Sequence, residues 1–160
     1  MVRDKVAVIY HSQQEGNTHA AAQAVAQGVR ADGRFEAVLH NTHEQEVSPQ
    51  LLAQCAGVAF GTPDYFSYPA GRLKVFMDNW LIAKRRGNED IEGMPVALFM
   101  THGGGGAARG PFEDLFHHIG PQVGKTVTMK GAPDDEAAEQ CRELGALLAR
   151  AAAAHAEGGS

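Results

Sequence analysis

Five short apolar runs alternate with segments of helical periodicity along this chain, and the alternation constrains its fold more than any other feature. The runs lie at residues 6–10, 35–39, 57–60, 95–100 and 123–129. The first, Val6-Ala7-Val8-Ile9-Tyr10, is apolar without a break, which is typical of a strand buried on both faces of a sheet. Strands and helices that alternate in this way predict an α/β fold, a parallel five-stranded sheet with helices on both faces.

The segments between the runs predict helices within a single domain. Helices are expected at residues 17–31, 49–55, 70–86, 112–119 and from residue 133 onward. In the third of these, one apolar stripe is expected to face the core. Its members are Leu73, Phe76, Met77, Trp80 and Leu81. We expect one domain over residues 1–156, followed by a flexible tail at residues 157–160.

Composition excludes several functional classes. The 160 residues carry 14 Lys and Arg against 19 Asp and Glu, a net charge of −5, whereas non-specific nucleic-acid binding needs a basic face. The two cysteines, Cys55 and Cys141, lack CxxC spacing and predict free thiols in a reducing compartment. No signal peptide is visible, and no apolar run approaches the ~18–20 residues of a membrane span. We therefore expect a cytoplasmic protein without a membrane span.

The loop after the first strand has the residue types of an anion site. In an open parallel sheet, ligands bind beyond the carboxyl ends of the strands. Residues 11–18 place Ser12, Gly16, Asn17 and Thr18 at the start of a helix, without Lys or Arg. Such a turn directs backbone N–H groups and the helix dipole at a phosphate. The alternative is that Asn17 or Thr18 simply caps the helix.

Two further strand-end loops have unusual compositions. Residues 62–69 contain Tyr65, Phe66 and Tyr68, aromatic side chains that can cover a flat ring system or can form a protein interface. Residues 101–106 contain four glycines, which let the backbone approach a ligand without a Cβ in the way. The alternative for these glycines is flexibility alone.

Together the three loops resemble those of the flavodoxin-like superfamily of FMN proteins, and the resemblance covers nearly the whole chain. The segment from Ser12 to Thr18 is similar to the phosphate loop of that superfamily. Residues 61–78, which begin Gly61-Thr62-Pro63-Asp64-Tyr65-Phe66, are similar to the isoalloxazine loop and following helix of NAD(P)H-dependent FMN reductases and of multimeric flavodoxin-like quinone reductases. The segment His102-Gly103-Gly104-Gly105-Gly106 matches the glycine-rich third loop of both groups.

The resemblance implies a three-layer α/β/α sandwich with strand order 2-1-3-4-5 and one non-covalently bound FMN. It implies phosphate contacts from the first loop and contacts to the isoalloxazine ring from the other two. The cofactor-binding residues that it implies are Ser12, Gln13, Gln14, Gly16, Asn17, Thr18, Thr62, Pro63, Asp64, Tyr65, Phe66, Ser67, Thr101, His102, Gly103, Gly104 and Gly105. Two departures from the usual pattern are present: the spacing from Ser12 to Asn17 is one residue longer, and Glu15 places a carboxylate close to the phosphate. That carboxylate must point outward, or the loop must have another shape. Reductase relatives usually form homodimers or homotetramers, so the resemblance admits either assembly, and the sequence alone leaves the oligomeric state open.

Two functional classes remain for an FMN protein of this kind. Electron carriers of this family are strongly acidic, whereas a net charge of −5 over 160 residues is modest. Carriers also often hold a glycine beside the flavin, at a peptide that turns over and stabilises the one-electron-reduced flavin. Residues 64–68 contain no glycine, and we expect Ser67 to resist the positive φ of such a turn. Both points favour an enzyme that takes hydride from NAD(P)H and passes electrons to a quinone, flavin or similar acceptor; the alternative is a flavodoxin-type carrier that docks to redox proteins.

His102 is the candidate catalytic residue, as a proton donor or as a hydrogen-bond partner at the N1 side of the flavin. The alternative is that His102 only shapes its loop. Other site types find no support. The first loop has one glycine where a dinucleotide fold needs GxGxxG, and no GxSxG elbow is present. The histidines near strand ends match no metal-ligand spacing, so no metal is expected.

Overall fold

The computed structural model describes residues 2–14 and 16–158, which form one five-stranded sheet with helices on both sides. The strands are β1 (Lys5–Tyr10), β2 (Glu36–Asn41), β3 (Cys55–Pro63), β4 (Val96–His102) and β5 (Val127–Lys130). Every pairing is parallel and the order is β2-β1-β3-β4-β5. The predicted fold class and strand order are confirmed.

Among the described residues, three α-helices lie between strands, α1 (Asn17–Asp32), α2 (Gly71–Arg85) and α3 (Arg109–Phe116), and α4 (Asp135–Gly158) follows β5. Short 3-10 helices lie at Pro49–Gln54 and Glu89–Ile91. The first of these replaces the short helix expected at residues 49–55, and the hydroxyl of Ser48 accepts a hydrogen bond from the backbone N–H of Gln50 at its start. Because α4 continues to Gly158, residues 157 and 158 of the expected tail are helical; residues 159 and 160 lie outside the described residues.

Two apolar cores cover the two faces of the sheet. Residues of α1 and α4 pack on one face, and residues of α2 and α3 on the other. In α2, four members of the predicted stripe are buried, but Leu81 is 40 % exposed, so that part of the prediction is wrong. At 3.6 residues per turn, Leu81 lies at the edge of the stripe that is centred on Leu73 and Trp80, roughly 90° around the helix from its centre.

The parallel arrangement brings all five carboxyl strand ends to one edge of the sheet. β3 and β4 both extend beyond the predicted strands, because Pro63 of β3 pairs with Thr101 of β4 and His102 of β4 pairs with Lys130 of β5. The loops that follow β1, β3 and β4 therefore leave from neighbouring points of this edge. No helix in the described part of the chain is long and apolar enough to cross a bilayer.

Candidate cofactor site

A cavity opens where the three predicted loops meet at the carboxyl edge of the sheet. It is lined by Ser12, Gln13, Gly16, Asn17, Thr18, Pro63, Tyr65 and Thr101. All eight belong to the set of residues predicted from the sequence. The fold thus brings the predicted phosphate loop together with the start of the second loop and the end of β4.

The side chain of Asn41 holds the first loop in place. Its Oδ1 accepts hydrogen bonds from the backbone N–H groups of Ser12 and His43, each at 3.0 Å, and its Nδ2 donates to the Ser12 carbonyl at 2.8 Å. Asn41 is buried and pairs with Tyr10 at the end of the β1–β2 ladder. The amide therefore continues the ladder by one step and fixes the direction in which the loop leaves β1. Asn41 was not among the predicted site residues; its signal in the sequence is an amide just beyond the strand predicted at residues 35–39.

The amino terminus of α1 faces this loop without a side-chain cap. Gly16 is the N-cap residue and no side chain among the described residues bonds to the cap. The hydroxyl of Thr18 instead shares a hydrogen bond with the hydroxyl of Thr101, 2.8 Å away. Capping by Asn17 or Thr18, the alternative considered for this loop, is therefore not what the structure contains. The first-turn N–H groups and the positive end of the α1 dipole are left facing the loop.

Gly16 is required by a close approach and not by its backbone angles. Its φ is −81°, which any residue can adopt. A Cβ at this position would lie 2.6 Å from Ser12 Oγ and 2.9 Å from the Gln13 carbonyl oxygen, so a side chain would displace the loop. Gln14 lies in an exposed turn of the same loop. Glu15 lies outside the described residues.

The second loop is a two-residue hairpin turn. Tyr65 and Tyr68 exchange two backbone hydrogen bonds, of 3.0 and 3.2 Å. Phe66 and Ser67 between them have φ values of +57° and +65°, which makes this a type I′ turn. The expectation that residues other than glycine would resist positive φ here is wrong, because the turn holds two of them in that region.

Asp64 supplies contacts that hold this turn. Its Oδ1 accepts a hydrogen bond from Ser67 N at 2.8 Å, and its Oδ2 accepts one from Ala108 N at 3.2 Å. One carboxylate thus ties the second loop to the start of α3, just beyond the third loop. Gln13 Nε2 donates to the Tyr65 hydroxyl at 3.3 Å and joins the first and second loops. Thr62 is buried, and its hydroxyl is used inside the protein, between Pro63 and Ala70.

His102 carries a buried nitrogen without a partner at the end of β4. Its Nδ1 is buried and makes no hydrogen bond to the described residues. An unsatisfied buried polar atom costs about 1–3 kcal/mol, so this nitrogen is suited to a partner that the chain itself does not supply. The next residues, Gly103 and Gly104, are exposed, and a Cβ on either would meet open space. Gly105, also exposed, has a φ of +84° and turns the loop back towards α3.

A histidine cluster lies beside the first loop, on the β2 side. His11 Nδ1 is 2.9 Å from Thr42 Oγ1, and its ring meets those of His43 and Tyr65 edge-on at 5.6 and 5.8 Å. Burial lowers the pKa of His11, and the nearby His43 and Arg72 lower it further. This side chain is therefore neutral at pH 7. The described residues contain no group of three or more His, Cys, Asp or Glu side chains placed to share a metal ion.

Both cysteines are packed inside the protein, away from this site. Cys55 and Cys141 are buried free thiols. Burial raises the pKa of each to about 11. Neither thiol is ionised at neutral pH, so neither has the reactivity of a redox centre.

Comparison with known proteins agrees with the geometry. A family model described as Flavodoxin matches residues 8–145. The chain is 25 % identical over 154 residues to the coenzyme F420H(2) oxidase of Methanothermobacter marburgensis, covering 93 % of this chain and 36 % of the oxidase. It is 28 % identical over 97 residues to a flavodoxin of Clostridium saccharobutylicum, covering 61 % of this chain and 55 % of that protein. The chain therefore spans only part of the length of these two relatives.

A solved structure shows the same fold over nearly all of both chains. The flavodoxin, WrbA-like protein of Agrobacterium tumefaciens superposes with a TM-score of 0.77 at 20 % identity. The match covers 95 % of this chain and 99 % of that one.

Proposed function

This chain belongs to the flavodoxin family, and on that premise we propose that it is a cytoplasmic, single-domain FMN enzyme that takes hydride from NAD(P)H and passes electrons to a quinone, flavin or similar acceptor. Family membership itself makes the chain a flavodoxin-like, FMN-binding flavoprotein of the electron-transfer type. The nicotinamide substrate, the acceptor and the individual cofactor contacts are the proposal. We also propose that the protein forms a homodimer or homotetramer, as the reductases that the sequence resembles do.

The first loop would hold the FMN phosphate. Ser12, Gly16, Asn17 and Thr18 surround the uncapped amino terminus of α1, where N–H groups and the helix dipole favour an anion without any Lys or Arg. The phosphate would thus be bound by hydrogen bonds from neutral donors of the loop and of the first turn of α1.

The second and third loops would hold the isoalloxazine ring. Pro63, Tyr65 and Thr101 line the cavity, and Pro63 and Thr101 are paired neighbours on β3 and β4. His102, with its unpartnered Nδ1, would donate to or accept from the flavin or would deliver a proton to the acceptor. The bound FMN supplies hydride and electron transfer, and the residues of this chain orient it and exclude water from it.

The turn at residues 65–68 is the observation that carries the choice of an enzyme. Reversal of the peptide between Phe66 and Ser67 would convert the type I′ turn to type II′, in which only the first central residue keeps a positive φ. Phe66 would then enter a region that glycine alone occupies readily, at a cost of about 1–3 kcal/mol. Ser67, in contrast, would relax to negative φ. The residue that resists reversal is therefore Phe66, and not Ser67 as the sequence had suggested.

A flavodoxin-type carrier is the second candidate. The observation that favours it is the fully exposed side chain of Phe66, 103 % of its reference area, at the tip of the loop beside the cavity. An aromatic side chain in that position suits contact with a protein partner. A restrained turn that suppresses one-electron reduction argues for the enzyme instead.

Anaerobic titration of the FMN-loaded protein tests the proposal. NADH or NADPH is expected to bleach the flavin, and a quinone is expected to restore its absorbance. Stepwise chemical reduction is expected to pass almost directly to the two-electron-reduced form. In Phe66→Gly, the equilibrium constant for the one-electron-reduced flavin is expected to rise by at least about fivefold, whereas the matched control Ser67→Gly is expected to leave it unchanged. A long-lived one-electron-reduced flavin in the unaltered protein, without response to either nicotinamide, would establish the carrier.

A further inference from the structure

The side chain of His11 is enclosed beside the cofactor cavity, although it is not among the residues that line that cavity. His11 directly follows β1, and its backbone N–H donates to the Gly61 carbonyl at 3.1 Å, which continues the pairing of β1 with β3. The side chain is 7 % exposed, and its Nδ1 lies 2.9 Å from the hydroxyl oxygen of the buried Thr42. Neighbouring segments of the chain therefore hold both the backbone and the ring of His11.

The ring of His11 contacts Tyr65, an aromatic side chain that lines the cavity. The two ring centroids are 5.8 Å apart and the ring planes are inclined by 77°, an edge-to-face arrangement. The other described partners of Tyr65 are Gln13, which donates to its hydroxyl, and Tyr68, which pairs with its backbone. Gln13 and Tyr68 are exposed, whereas His11 is buried. His11 is therefore the partner that the protein interior fixes in place, and it sets the orientation of the Tyr65 ring.

The groups that face His11 favour its uncharged form. His43, in the loop after β2, meets the His11 ring edge-on with the centroids 5.6 Å apart. Arg72, at the start of α2, donates to the carbonyl oxygens of Thr42 and His43. Burial lowers the pKa of His11, and His43 and Arg72 lower it further. The titratable group that faces His11 from the second loop is the Tyr65 phenol.

No carboxylate in the described part of the chain is paired with His11. None of the ion pairs among these residues includes a histidine. Asp64 accepts hydrogen bonds from backbone N–H groups with both carboxylate oxygens, and Glu44 and Glu46 are exposed. A proton on the buried His11 would therefore be opposed by desolvation and by repulsion from Arg72, and movement of the ring into solvent would relieve both. The ring would then no longer support the tyrosine that lines the cavity.

We propose that His11 is a positioning residue of the flavin site: its uncharged ring holds Tyr65 at the wall of the cavity, and protonation of His11 weakens flavin binding. This inference rests on the proposed function, because it takes the FMN to occupy the cavity that Tyr65 lines. It holds for an enzyme and for a carrier alike, and it gives His11 no contact with the flavin. Binding and protonation are then linked reciprocally, so the factor by which a proton on His11 weakens flavin binding is also the factor by which bound flavin disfavours that proton.

Two measurements on the unaltered protein test this linkage. NMR of isotope-labelled histidine follows the titration of His11 from about pH 8 to about pH 5 in flavin-free and FMN-loaded protein. Quenching of flavin fluorescence gives the dissociation constant over the same range. We expect this constant to rise at least about fivefold as the pH falls below about 6.5, and the pKa of His11 to be lower in the loaded protein by the matching amount, at least about 0.7. Because a phosphate monoester itself titrates near roughly pH 6, riboflavin is measured in parallel and is expected to show the same linkage.

Three variants separate the charge of His11 from its contact with Tyr65. His11→Phe keeps an aromatic ring that cannot be protonated, and it is expected to lose the fivefold or larger weakening of riboflavin binding at low pH. In Tyr65→Leu, bound flavin is expected to leave the pKa of His11 unchanged. His43→Gln is the matched control, since it removes an exposed histidine from the same cluster. It is expected to keep the linkage at full size with the midpoint at higher pH, because His43 lowers the pKa of His11.

Several outcomes would overturn the inference. It is wrong if FMN leaves the pKa of His11 unchanged, or if His11→Phe binds riboflavin with the pH profile of the unaltered protein. It is also wrong if the linkage survives in Tyr65→Leu or disappears in His43→Gln. If His11→Phe does not fold, the NMR comparison on the unaltered protein decides. Failure to bind either flavin at any pH would reject the proposed function as well, whereas tight binding without linkage would reject this inference alone.

Discussion

At the scale of one residue, Asn41 shows that a side chain that does not line the cavity can fix the conformation of a loop that does. Its amide replaces the next pair of ladder hydrogen bonds between β2 and the chain beyond β1, and it leaves Ser12 with both backbone groups satisfied. Ser12 N is consequently not free for a phosphate, so the proposed phosphate donors lie further along the loop and at the start of α1. Asn41 acts as a positioning residue for that loop.

Removal of the Asn41 amide is expected to weaken FMN binding. In Asn41→Ala, the backbone groups of Ser12 and His43 lose their partners, and each buried group left unpaired costs about 1–3 kcal/mol. We expect the dissociation constant for FMN, measured by quenching of flavin fluorescence, to rise about tenfold or more. Asn79→Ala, which removes an amide with only a 3.5 Å contact to Glu46, is the control and is expected to have no effect. An unchanged constant in a folded Asn41→Ala protein would show that the loop keeps its shape without the amide.

Residue-level expectations failed where distant contacts decide a conformation. The sequence identified eight residues that line one cavity, because residue types and strand ends are local signals. It did not identify Asn41, whose partner Ser12 is 29 positions away. It also assigned the wrong conformation to Phe66 and Ser67, whose positive φ is supported by Asp64 and by the paired Tyr65 and Tyr68. Backbone propensity reflects the preference of a residue in isolation and does not include these tertiary contacts.

At the scale of whole elements, α1 and α4 approach each other through two glycines. A Cβ on Gly28 would overlap the carbonyl oxygen of Arg142, and a Cβ on Gly145 would overlap that of Val25. The two contacts are reciprocal, since each helix presents a glycine to the backbone of the other. This close approach sets the spacing of the helical layer that covers β1 and β3.

Substitution of either glycine by alanine is expected to destabilise the protein. Alanine favours a helix by about 1 kcal/mol over glycine, but overpacking at a backbone contact costs about 1–3 kcal/mol and more where the backbone must separate. We expect Gly28→Ala and Gly145→Ala each to lower the free energy of unfolding by about 1–2 kcal/mol in urea titrations. Gly110→Ala in α3, where a Cβ meets open space, is the control and is expected to be neutral or stabilising. Stabilisation by all three substitutions would mean that the helices have room to separate.

The presence of each strand and the alternation with helices could be predicted from the sequence, whereas the residues at which strands end could not. All five strands and the alternation with helices were confirmed, since the apolar runs carry that information. β3 continues through Pro63 because it pairs with Thr101 of β4, and β4 continues through His102 because it pairs with Lys130 of β5; strand ends are thus set by neighbouring strands. Leu81 was assigned to the core because it is apolar, but its angular position at the edge of the α2 stripe leaves it 40 % exposed.

At the scale of the whole molecule, the two cores are built on opposite faces of one sheet. β1, β3 and β4 contribute residues to the core under α1 and α4 and, in alternation, to the core under α2 and α3. Loss of either helical layer would therefore expose apolar residues on one face of strands whose other face packs against the remaining layer. One cooperative unfolding transition is the consequence for a protein built in this way.

Flavin binding is expected to stabilise this single unit to an extent that depends on the phosphate. FMN at 100 times its dissociation constant would add about 2.7 kcal/mol to the free energy of unfolding, which for a chain of this size raises Tm by roughly 5–11 °C. Riboflavin at the same concentration lacks the phosphate for the α1 terminus, so we expect less than about half of that rise. Far-UV circular dichroism during heating measures both shifts, with protein free of flavin as the reference. Equal shifts for the two flavins would contradict a phosphate site at Gly16, Asn17 and Thr18, and two separate transitions would contradict a single domain.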